Sequence, residues 1–332
     1  MADPPSSGRM LRTRVYRAGR LEAVDFPVEQ VSDFLEEAGT TVWVDLCAPD
    51  REDLDVVADE LGLHTLAVDD AVSTRQRPKL DRYESHEFLN VYAVSLDRDS
   101  GELSLSELSA FLTPRALVTV RKDTSFDMDA VVARWDSGSD LAGYGVSFLV
   151  YGLLDEVVDG HFAAVEELDD EIEGLEDLLF DDRPRDKDVQ RRSFALRKSL
   201  VTLRRVVLPM REVLNTLLRR DLKIVPAEIV PYFQDVYDHA LRATEWTESL
   251  RDLVTTIVET NLTLQGNRLN VITKKVTSWA AIIAVPTAIT GWYGQNLPYP
   301  GFAARSGLVV SVALIVVCSG VLYATFKKMD WL

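Results

Sequence analysis

The sequence predicts a membrane protein of mixed class: an N-terminal cytoplasmic α/β domain, a long helical stalk and two C-terminal transmembrane helices. Three features of the 332-residue chain predict this architecture. Strand-like segments are confined to residues 1–137, a helical pattern runs without proline between Pro231 and Pro286, and two apolar runs lie beyond residue 275. The first feature is typical of an α/β domain, and the last is typical of membrane spans.

The α/β domain is predicted from short β-rich runs that alternate with helical ones. Residues 40–46 and 86–96 are rich in β-branched and aromatic side chains, as strands are, and residues 106–122 resemble two strands broken at Thr113 and Pro114. Residues 51–63 and 66–73 carry helical patterns between them. Strands interleaved with helices predict an α/β domain over 1–137.

Composition and motifs argue against several classes of function. The formal net charge of −17 argues against a nucleic-acid partner, because such proteins need a basic face. Neither a glycine-rich phosphate loop nor a Ser/His/Asp set at a recognisable spacing is present, so the sequence does not predict an enzyme. The two cysteines are far apart and predict neither a disulfide framework nor a zinc cluster.

Residues 138–275 are predicted to form a helical domain. The stretch 155–182 is strongly acidic, lacks Lys and Arg, and keeps a helical apolar stripe, whereas 191–220 is rich in Arg. An antiparallel hairpin turning near 183–185 would set the acidic face against the basic one. The alternative is an acidic surface that attracts cations near a pore mouth.

A third helix is predicted to run from Gln234 into the first apolar run. About 60 residues at 1.5 Å each give roughly 90 Å, a length that one small subunit cannot bury by itself. Such a helix needs partners, and several parallel copies around an axis would supply them.

The apolar runs 276–293 and 306–326 each approach the roughly 20 residues needed to cross a bilayer. Lys274 and Lys275 precede the first run, and Lys327 and Lys328 begin the basic tail 327–332. Because positive residues favour the cytoplasmic side, we expect a multi-pass protein of the cell membrane with both termini in the cytoplasm and the loop 294–305 outside.

One face of the long helix carries small or polar residues at steps of four and three. In the first span and just below it, these residues are Gly291, Thr287, Ala284, Ala280, Thr277, Thr273 and Asn270. Further down, the stripe continues through Gly266, Thr263, Glu259, Thr256 and Asp252. Within a membrane such a face either packs tightly on another helix or lines water. The polar members below the span favour a water-filled lumen.

The end of this helix, Gly291-Trp292-Tyr293-Gly294-Gln295-Asn296, resembles the CorA family of divalent-cation channels, whose hallmark is Tyr-Gly-Met-Asn. The two-span C-terminus, the closing 327–332, the Gln-Arg-Pro-Lys segment 76–79 and residues 231–239 match the family in the same order. The resemblance implies a funnel-shaped homopentamer around a central pore. Gly294, Gln295 and Asn296 would form the outer mouth and Asn270 the inner mouth. Gly291, Thr287, Ala284 and Thr273 would line the path between them.

The resemblance also implies regulatory carboxylates at subunit interfaces. Asp70 would face Glu259 of a neighbouring long helix, and Asp69 would join Asp235 and Asp155 in a second acidic cluster. In the family, Mg²⁺ at such sites holds the pore closed when cytoplasmic Mg²⁺ is high. Mg²⁺ would therefore be both the transported and the regulatory ion.

The chain departs from the family at Gln295, which replaces the hallmark methionine. The alternatives are therefore a Zn²⁺, Ni²⁺ or Co²⁺ transporter of the same fold and a membrane-bound Mg²⁺ sensor that does not conduct. The stripe lacks the His and Cys ligands that a dehydrated Zn²⁺ site would favour, and a sensor has no need of a polar stripe.

Overall fold

The structure is a computed structural model, and it describes residues 10–74, 76–97, 102–138, 140–180, 186–219, 224–295, 298, 301–302 and 304–332. Residues up to Thr256 form one compact unit, and the residues from Ile257 to Leu332 form a second. The predicted domain boundaries remain predictions.

The first half of the chain folds into strands and short helices. In chain order they are β1 (Met10–Arg17), β2 (Arg20–Val24), α1 (Val31–Glu36), β3 (Thr40–Cys47), α2 (Arg51–Leu61), α3 (Thr65–Val72), β4 (Lys79–Arg82), β5 (Glu87–Asp97), β6 (Glu102–Leu112), β7 (Ala116–Arg121) and α4 (Met128–Ser137). The predicted strands correspond to β3, β5, β6 and β7, and the predicted helices to α2 and α3. Strands β1, β2 and β4 and helices α1 and α4 were not predicted from the sequence.

The second half consists of long helices: α5 (Val146–Leu179), α6 (Asp186–Leu217), α7 (Val230–Tyr293) and α8 (Arg305–Lys328). Helix α7 has 64 residues, continues through Pro286, and confirms the predicted unbroken helix. It begins at Val230, slightly before the predicted start, because a proline is tolerated in the first helical turn, where its missing N–H has no partner to lose. Helices α5 and α6 contact each other, and the turn predicted at 183–185 lies outside the described residues.

The strands form one seven-stranded sheet in the order β2-β1-β3-β7-β6-β5-β4. Only β3 and β7 pair in parallel; the other neighbours are antiparallel. Because successive side chains in a strand point to opposite faces, β3 contributes Val42 and Val44 to one apolar core and Trp43 to another. Residues of α1, α2 and α3 complete the first core, and residues of α4, α5, α6 and the start of α7 complete the second. The first unit is therefore a three-layer α/β/α structure.

A buried ion pair joins the central strands. The Arg121 Nη2 atom lies 2.6 Å from the Asp45 Oδ2 atom, and both side chains are almost fully buried. The Thr119 hydroxyl donates to the same carboxylate at 2.7 Å, and the Trp43 indole N–H donates to that hydroxyl at 3.1 Å. These hydrogen bonds offset the cost of burying two charges.

Helix α4 is attached to α5 by Trp135, which packs edge-on against Trp43 at 4.9 Å between ring centroids. The Trp135 indole N–H donates to the Leu149 carbonyl at 3.1 Å. Gly152 makes this close approach possible, because a Cβ atom at that position would lie 2.6 Å from the Trp135 ring nitrogen. Gly174, in the same helix, has no atom of the described chain within 4 Å of an added Cβ.

We therefore expect Gly152→Ala to destabilise the fold by about 1–3 kcal/mol through overpacking. Gly174→Ala is the matched control, and it should be neutral or stabilise by up to about 1 kcal/mol, because alanine favours helix. Urea unfolding of the full-length protein in detergent, followed by circular dichroism, compares the two. Equal midpoints for the two variants would contradict the packing role of Gly152.

Candidate ion pathway and regulatory carboxylates

Helix α8 is long and apolar enough to cross a membrane, and it is the one helix of the described chain that meets the length and hydropathy requirement. Most of its large apolar side chains are exposed, among them Leu308, Val309 and Val316. Lys327 and Lys328 lie in its last turn, where positive charges complement the helix dipole. Since exposed apolar side chains along a whole helix are unfavourable in water, this helix requires lipid or other protein surfaces around it.

The first predicted span, 276–293, lies at the end of α7 and falls short of that requirement. Its threonines, glycine and proline lower the mean hydropathy below that of α8. Large apolar side chains of this segment, Val276, Trp279 and Ile283, are nonetheless exposed. The small and polar residues that lower the hydropathy of this segment include members of the predicted stripe, such as Thr277, Thr287 and Gly291.

The seven predicted pore-lining residues are all exposed in the single chain: Asn270, Thr273, Thr277, Ala280, Ala284, Thr287 and Gly291. Ser278, on the opposite side of the helix, is fully buried. A Cβ atom added at Gly291 or at Gly266 would meet no atom of the described residues within 4 Å. The small side chains are therefore not required for packing within this part of the subunit.

Three threonines of the stripe share a hydrogen-bonding pattern. The hydroxyls of Thr256, Thr263 and Thr287 donate to the carbonyls of Asp252, Glu259 and Ile283 at 3.0–3.1 Å. Each hydroxyl proton is thereby used by the helix backbone, while the oxygen lone pairs remain as acceptors. Such oxygens suit the water molecules of a hydrated cation, which present hydrogens outward.

The predicted outer mouth follows the end of α7. The backbone N–H of Gly294 donates to the Thr290 carbonyl at 2.8 Å, and that of Gln295 donates to the Trp292 carbonyl at 3.3 Å. A Cβ atom at position 294 would lie 3.0 Å from the Thr290 carbonyl oxygen, so glycine allows this tight approach. Asn296, the third residue of the predicted mouth, lies outside the described residues.

Asp69 and Asp70, on α3, each contact a basic side chain of the same subunit. Asp70 Oδ2 lies 2.6 Å from Lys79 Nζ, and Asp70 Oδ1 accepts from the Gln76 amide at 3.3 Å. Asp69 pairs with Arg51. Partial burial lowers the pKa of Lys79, but Asp70 and Asp81 outweigh this effect and raise it, so the ammonium stays charged at neutral pH.

A buried polar network fixes the 76–79 segment. Glu107 accepts hydrogen bonds from the Gln76 backbone N–H at 3.1 Å and from the Asn90 amide at 3.4 Å. The Asn90 amide also donates to the Arg77 carbonyl at 3.4 Å, and the Tyr92 hydroxyl donates to the Gln76 carbonyl. The segment 76–79, which contacts Asp70, is therefore held in place by hydrogen bonds with side chains of β5 and β6.

Asp155 and Asp235 are close enough to interact. Burial raises the pKa of the Asp155 carboxyl and Arg134 opposes this rise, whereas Asp159 and Asp235 add to it. Arg134 pairs with Asp155 and lies 2.8 Å from Glu156 and 2.9 Å from Asp159. Burial together with Asp155 and Asp235 raises the pKa of Tyr151 to about 12. Arg134 thus partly neutralises the acidic patch that Asp155, Glu156 and Asp159 form in the first half of α5.

The remaining regulatory candidate, Glu259, is exposed on α7. In the described part of a single chain, no group of three or more His, Cys, Asp or Glu side chains is arranged to hold a metal ion. The predicted second cluster of Asp69, Asp235 and Asp155 therefore remains a prediction. The basic partners Arg51, Lys79 and Arg134 were not predicted from the sequence, because their pairing depends on the tertiary fold.

The fold and these features define a protein that joins a large α/β domain to a long helix and to a C-terminal helix able to cross a membrane. The sequence model of a family described as "CorA-like Mg2+ transporter protein" matches residues 38–328. The chain therefore belongs to this family, as the resemblance of its motifs predicted.

Individual relatives agree with this assignment. The chain is 30% identical over 344 residues to the "Cobalt/magnesium transport protein CorA" of Thermotoga maritima, covering 99% of this chain and 97% of that protein. It is 26% identical to the "Zinc transport protein ZntB" of Yersinia pestis, covering 77% of each. Its fold is similar to the solved structure of the complete CorA magnesium transporter from Methanocaldococcus jannaschii, with a TM-score of 0.79, 24% identity, and coverage of 97% of this chain and 99% of that one.

Proposed function

We propose that this protein is a homopentameric channel of the inner (cell) membrane that admits Mg²⁺ down its electrochemical gradient. Family membership supports transport of divalent cations, and the relative from Thermotoga maritima carries cobalt and magnesium in its name. The observation that carries the proposal is the exposed stripe of α7, which sets small and polar residues beside exposed apolar ones on a single helix.

This combination favours an assembly over a lone subunit. Exposed apolar residues such as Ile283 require lipid or protein contacts, whereas exposed Thr287 and Asn270 require water or hydrogen-bonding partners. Copies of α7 around an axis meet both requirements, because one face points to a wet lumen and the others to neighbouring helices and lipid. The second span is then α8, with both termini in the cytoplasm.

The outer mouth in this proposal selects a hydrated ion. Mg²⁺ gives up its water reluctantly, so a ring of neutral oxygens suits it better than a cage of direct ligands. Backbone carbonyls and the carboxamides of Gln295 and Asn296 are of this kind. An inside-negative potential favours entry of a divalent cation by about 4.6 kcal/mol per 100 mV.

We further propose that internal Mg²⁺ closes the channel by binding between subunits. The donor set fits a hard cation, because Asp70 and Glu259 on one interface, and Asp69, Asp235 and Asp155 on another, offer carboxylate oxygens. Each cluster needs carboxylates from two subunits, which is consistent with the absence of a group of three among the described residues of one chain. Bound cations would then hold neighbouring subunits together.

Cysteine accessibility tests the proposed pore. In a Cys318→Ser background, Thr287→Cys and Thr273→Cys should react with a charged thiol reagent added from the water phase, and the modification should block Mg²⁺ entry. Val316→Cys, on the exposed apolar face of α8, is the control that lipid should protect. Protection of both stripe cysteines under conditions that label an exposed cytoplasmic cysteine would contradict the pore.

A second candidate is transport of Zn²⁺, Co²⁺ or Ni²⁺ by the same fold. The similarity to a protein named for zinc transport favours it, together with the replacement of the hallmark methionine by Gln295. Against zinc stands the stripe, whose described oxygens are hard ligands without His or Cys. Uptake measured with each metal in turn separates the candidates.

A further inference from the structure

The Lys79 ammonium forms an ion pair with Asp70, a carboxylate of the proposed regulatory site. Its Nζ atom lies 2.6 Å from Asp70 Oδ2 and 2.6 Å from Asp81 Oδ2. The two carboxylate oxygens are therefore no more than about 5 Å apart, and their repulsion is relieved by the one ammonium between them. Lys79 is the first residue of β4, and its ammonium also lies over the Phe88 ring at 5.5 Å from the centroid.

The position of this ammonium is set by the fold and not by chance contact at a flexible surface. Glu107, Asn90 and Tyr92 hold the preceding residues 76 and 77 from beneath. The Lys79 side chain is mostly buried, with 18% of its surface exposed, while Asp70 and Asp81 remain more accessible at 29% and 41%. A cation arriving from the cytoplasm therefore meets carboxylates that already hold a tethered positive charge.

A comparable ion pair is found at two other proposed regulatory carboxylates of the first unit. Arg51 pairs with Asp69, and Arg134 pairs with Asp155. Asp70, Asp69 and Asp155 thus each have a basic side chain of their own subunit. A site that must remain empty at low Mg²⁺ gains from such a partner, because unpaired carboxylates brought together would bind divalent cations at lower concentrations.

We propose that Lys79 is a tethered competitor of the regulatory cation, which neutralises Asp70 when the site is empty and thereby sets the Mg²⁺ concentration that fills it. The inference rests on the proposed regulatory function of Asp70. When Mg²⁺ binds, the Lys79 ammonium is displaced from Asp70 and keeps its pair with Asp81. The apparent affinity for Mg²⁺ then depends on the difference between two free energies, that of Asp70 binding Mg²⁺ and that of Asp70 pairing with Lys79.

The alternative is that Lys79 only positions Asp70, and the two roles predict opposite signs. A competitor, once removed, lets Mg²⁺ bind at a lower concentration. A positioning residue, once removed, leaves Asp70 less ordered and requires more Mg²⁺. Loss of one unit charge about 5 Å from a divalent cation at a hydrated surface corresponds to roughly a three- to tenfold change in affinity.

The test measures Mg²⁺ binding by the full-length protein in detergent, without transport. Binding to the folded state raises the thermal unfolding midpoint and protects against limited proteolysis, so both are followed as Mg²⁺ is titrated. Lys79→Gln should reach half-maximal protection at about three- to tenfold lower Mg²⁺ than the wild type. Lys79→Arg, which keeps the positive charge, should shift the Mg²⁺ concentration for half-maximal protection less than Lys79→Gln does. Lys198→Gln removes an exposed lysine paired with Glu102 and should leave the Mg²⁺ concentration for half-maximal protection unchanged.

The outcomes separate this inference from the proposed function. In one outcome, Mg²⁺ protects the wild type and Asp70→Asn weakens that protection, but Lys79→Gln needs the same or a higher Mg²⁺ concentration for half-maximal protection. The competitor role of Lys79 is then wrong, and the regulatory site stands. If Mg²⁺ does not protect the wild type, or Asp70→Asn leaves protection intact, the regulatory role of Asp70 fails and the inference falls with it. The thermal unfolding midpoint measured without Mg²⁺ shows whether each variant is folded.

Discussion

A channel with Asp70→Asn and Glu259→Gln is expected to keep conducting at internal Mg²⁺ concentrations that close the wild type. The two carboxylates belong to the interface where the proposed regulatory ion bridges neighbouring subunits. Replacing them by amides keeps the side-chain shapes but removes two negative charges from the ion's surroundings. Since a divalent cation depends on that charge, its affinity for the interface should fall steeply.

We expect half-maximal inhibition to require at least about tenfold more internal Mg²⁺ in this double variant. The measurement is Mg²⁺ entry into proteoliposomes loaded with increasing internal Mg²⁺. The matched control is Asp129→Asn with Glu29→Gln, which also removes one Asp and one Glu charge, but at exposed positions outside the proposed sites. An inhibition curve identical to that of the wild type would remove Asp70 and Glu259 from the gating mechanism.

The sequence predicted the elements whose pattern is local. Strand β3 has β-branched and aromatic residues followed by Pro49 and an Asp50 cap, so both the strand and the start of α2 are visible in the sequence. Helix α2 ends at Leu61 and is followed by Gly62, which takes the left-handed conformation that glycine favours. Helix α7 was predicted because no proline or loop signal interrupts it before Pro286.

The missed elements depend on tertiary contacts more than on local pattern. Strand β2 is a polar, largely exposed edge strand, and β4 has only four residues. Helix α4 has an Asp127 cap that could have predicted it, but its position on the sheet depends on the packing of Trp135 against Trp43. The Ala18-Gly19 turn, both residues of which have positive φ, was an available hairpin signal for β1 and β2.

The candidate site divides in the same way. A stripe on one helix is a matter of spacing, so Thr287, Thr273 and Asn270 could be named from the sequence. The partners of the proposed regulatory carboxylates could not be predicted, because Arg134 and Asp155 are 21 residues apart and Arg51 and Asp69 are 18 apart. Their proximity follows from the sheet and its crossing helices.

The most direct test of the central proposal concerns Asn296, the amide at the proposed outer mouth. If five copies of this carboxamide hold a hydrated Mg²⁺ ion, its loss removes the acceptors that receive the ion's water molecules. Asn296→Ala should therefore abolish Mg²⁺ entry while leaving folding and assembly intact. Asn267→Ala is the matched control, because Asn267 lies exposed on α7 but outside the stripe.

The measurement is Mg²⁺ entry into proteoliposomes that contain a Mg²⁺-sensitive dye, with the wild type and both variants in parallel. The proposal predicts rapid entry for the wild type and for Asn267→Ala, and none for Asn296→Ala. Mg²⁺ entry that persists in Asn296→Ala, or a wild type that admits Zn²⁺, Co²⁺ or Ni²⁺ but no Mg²⁺, would contradict it.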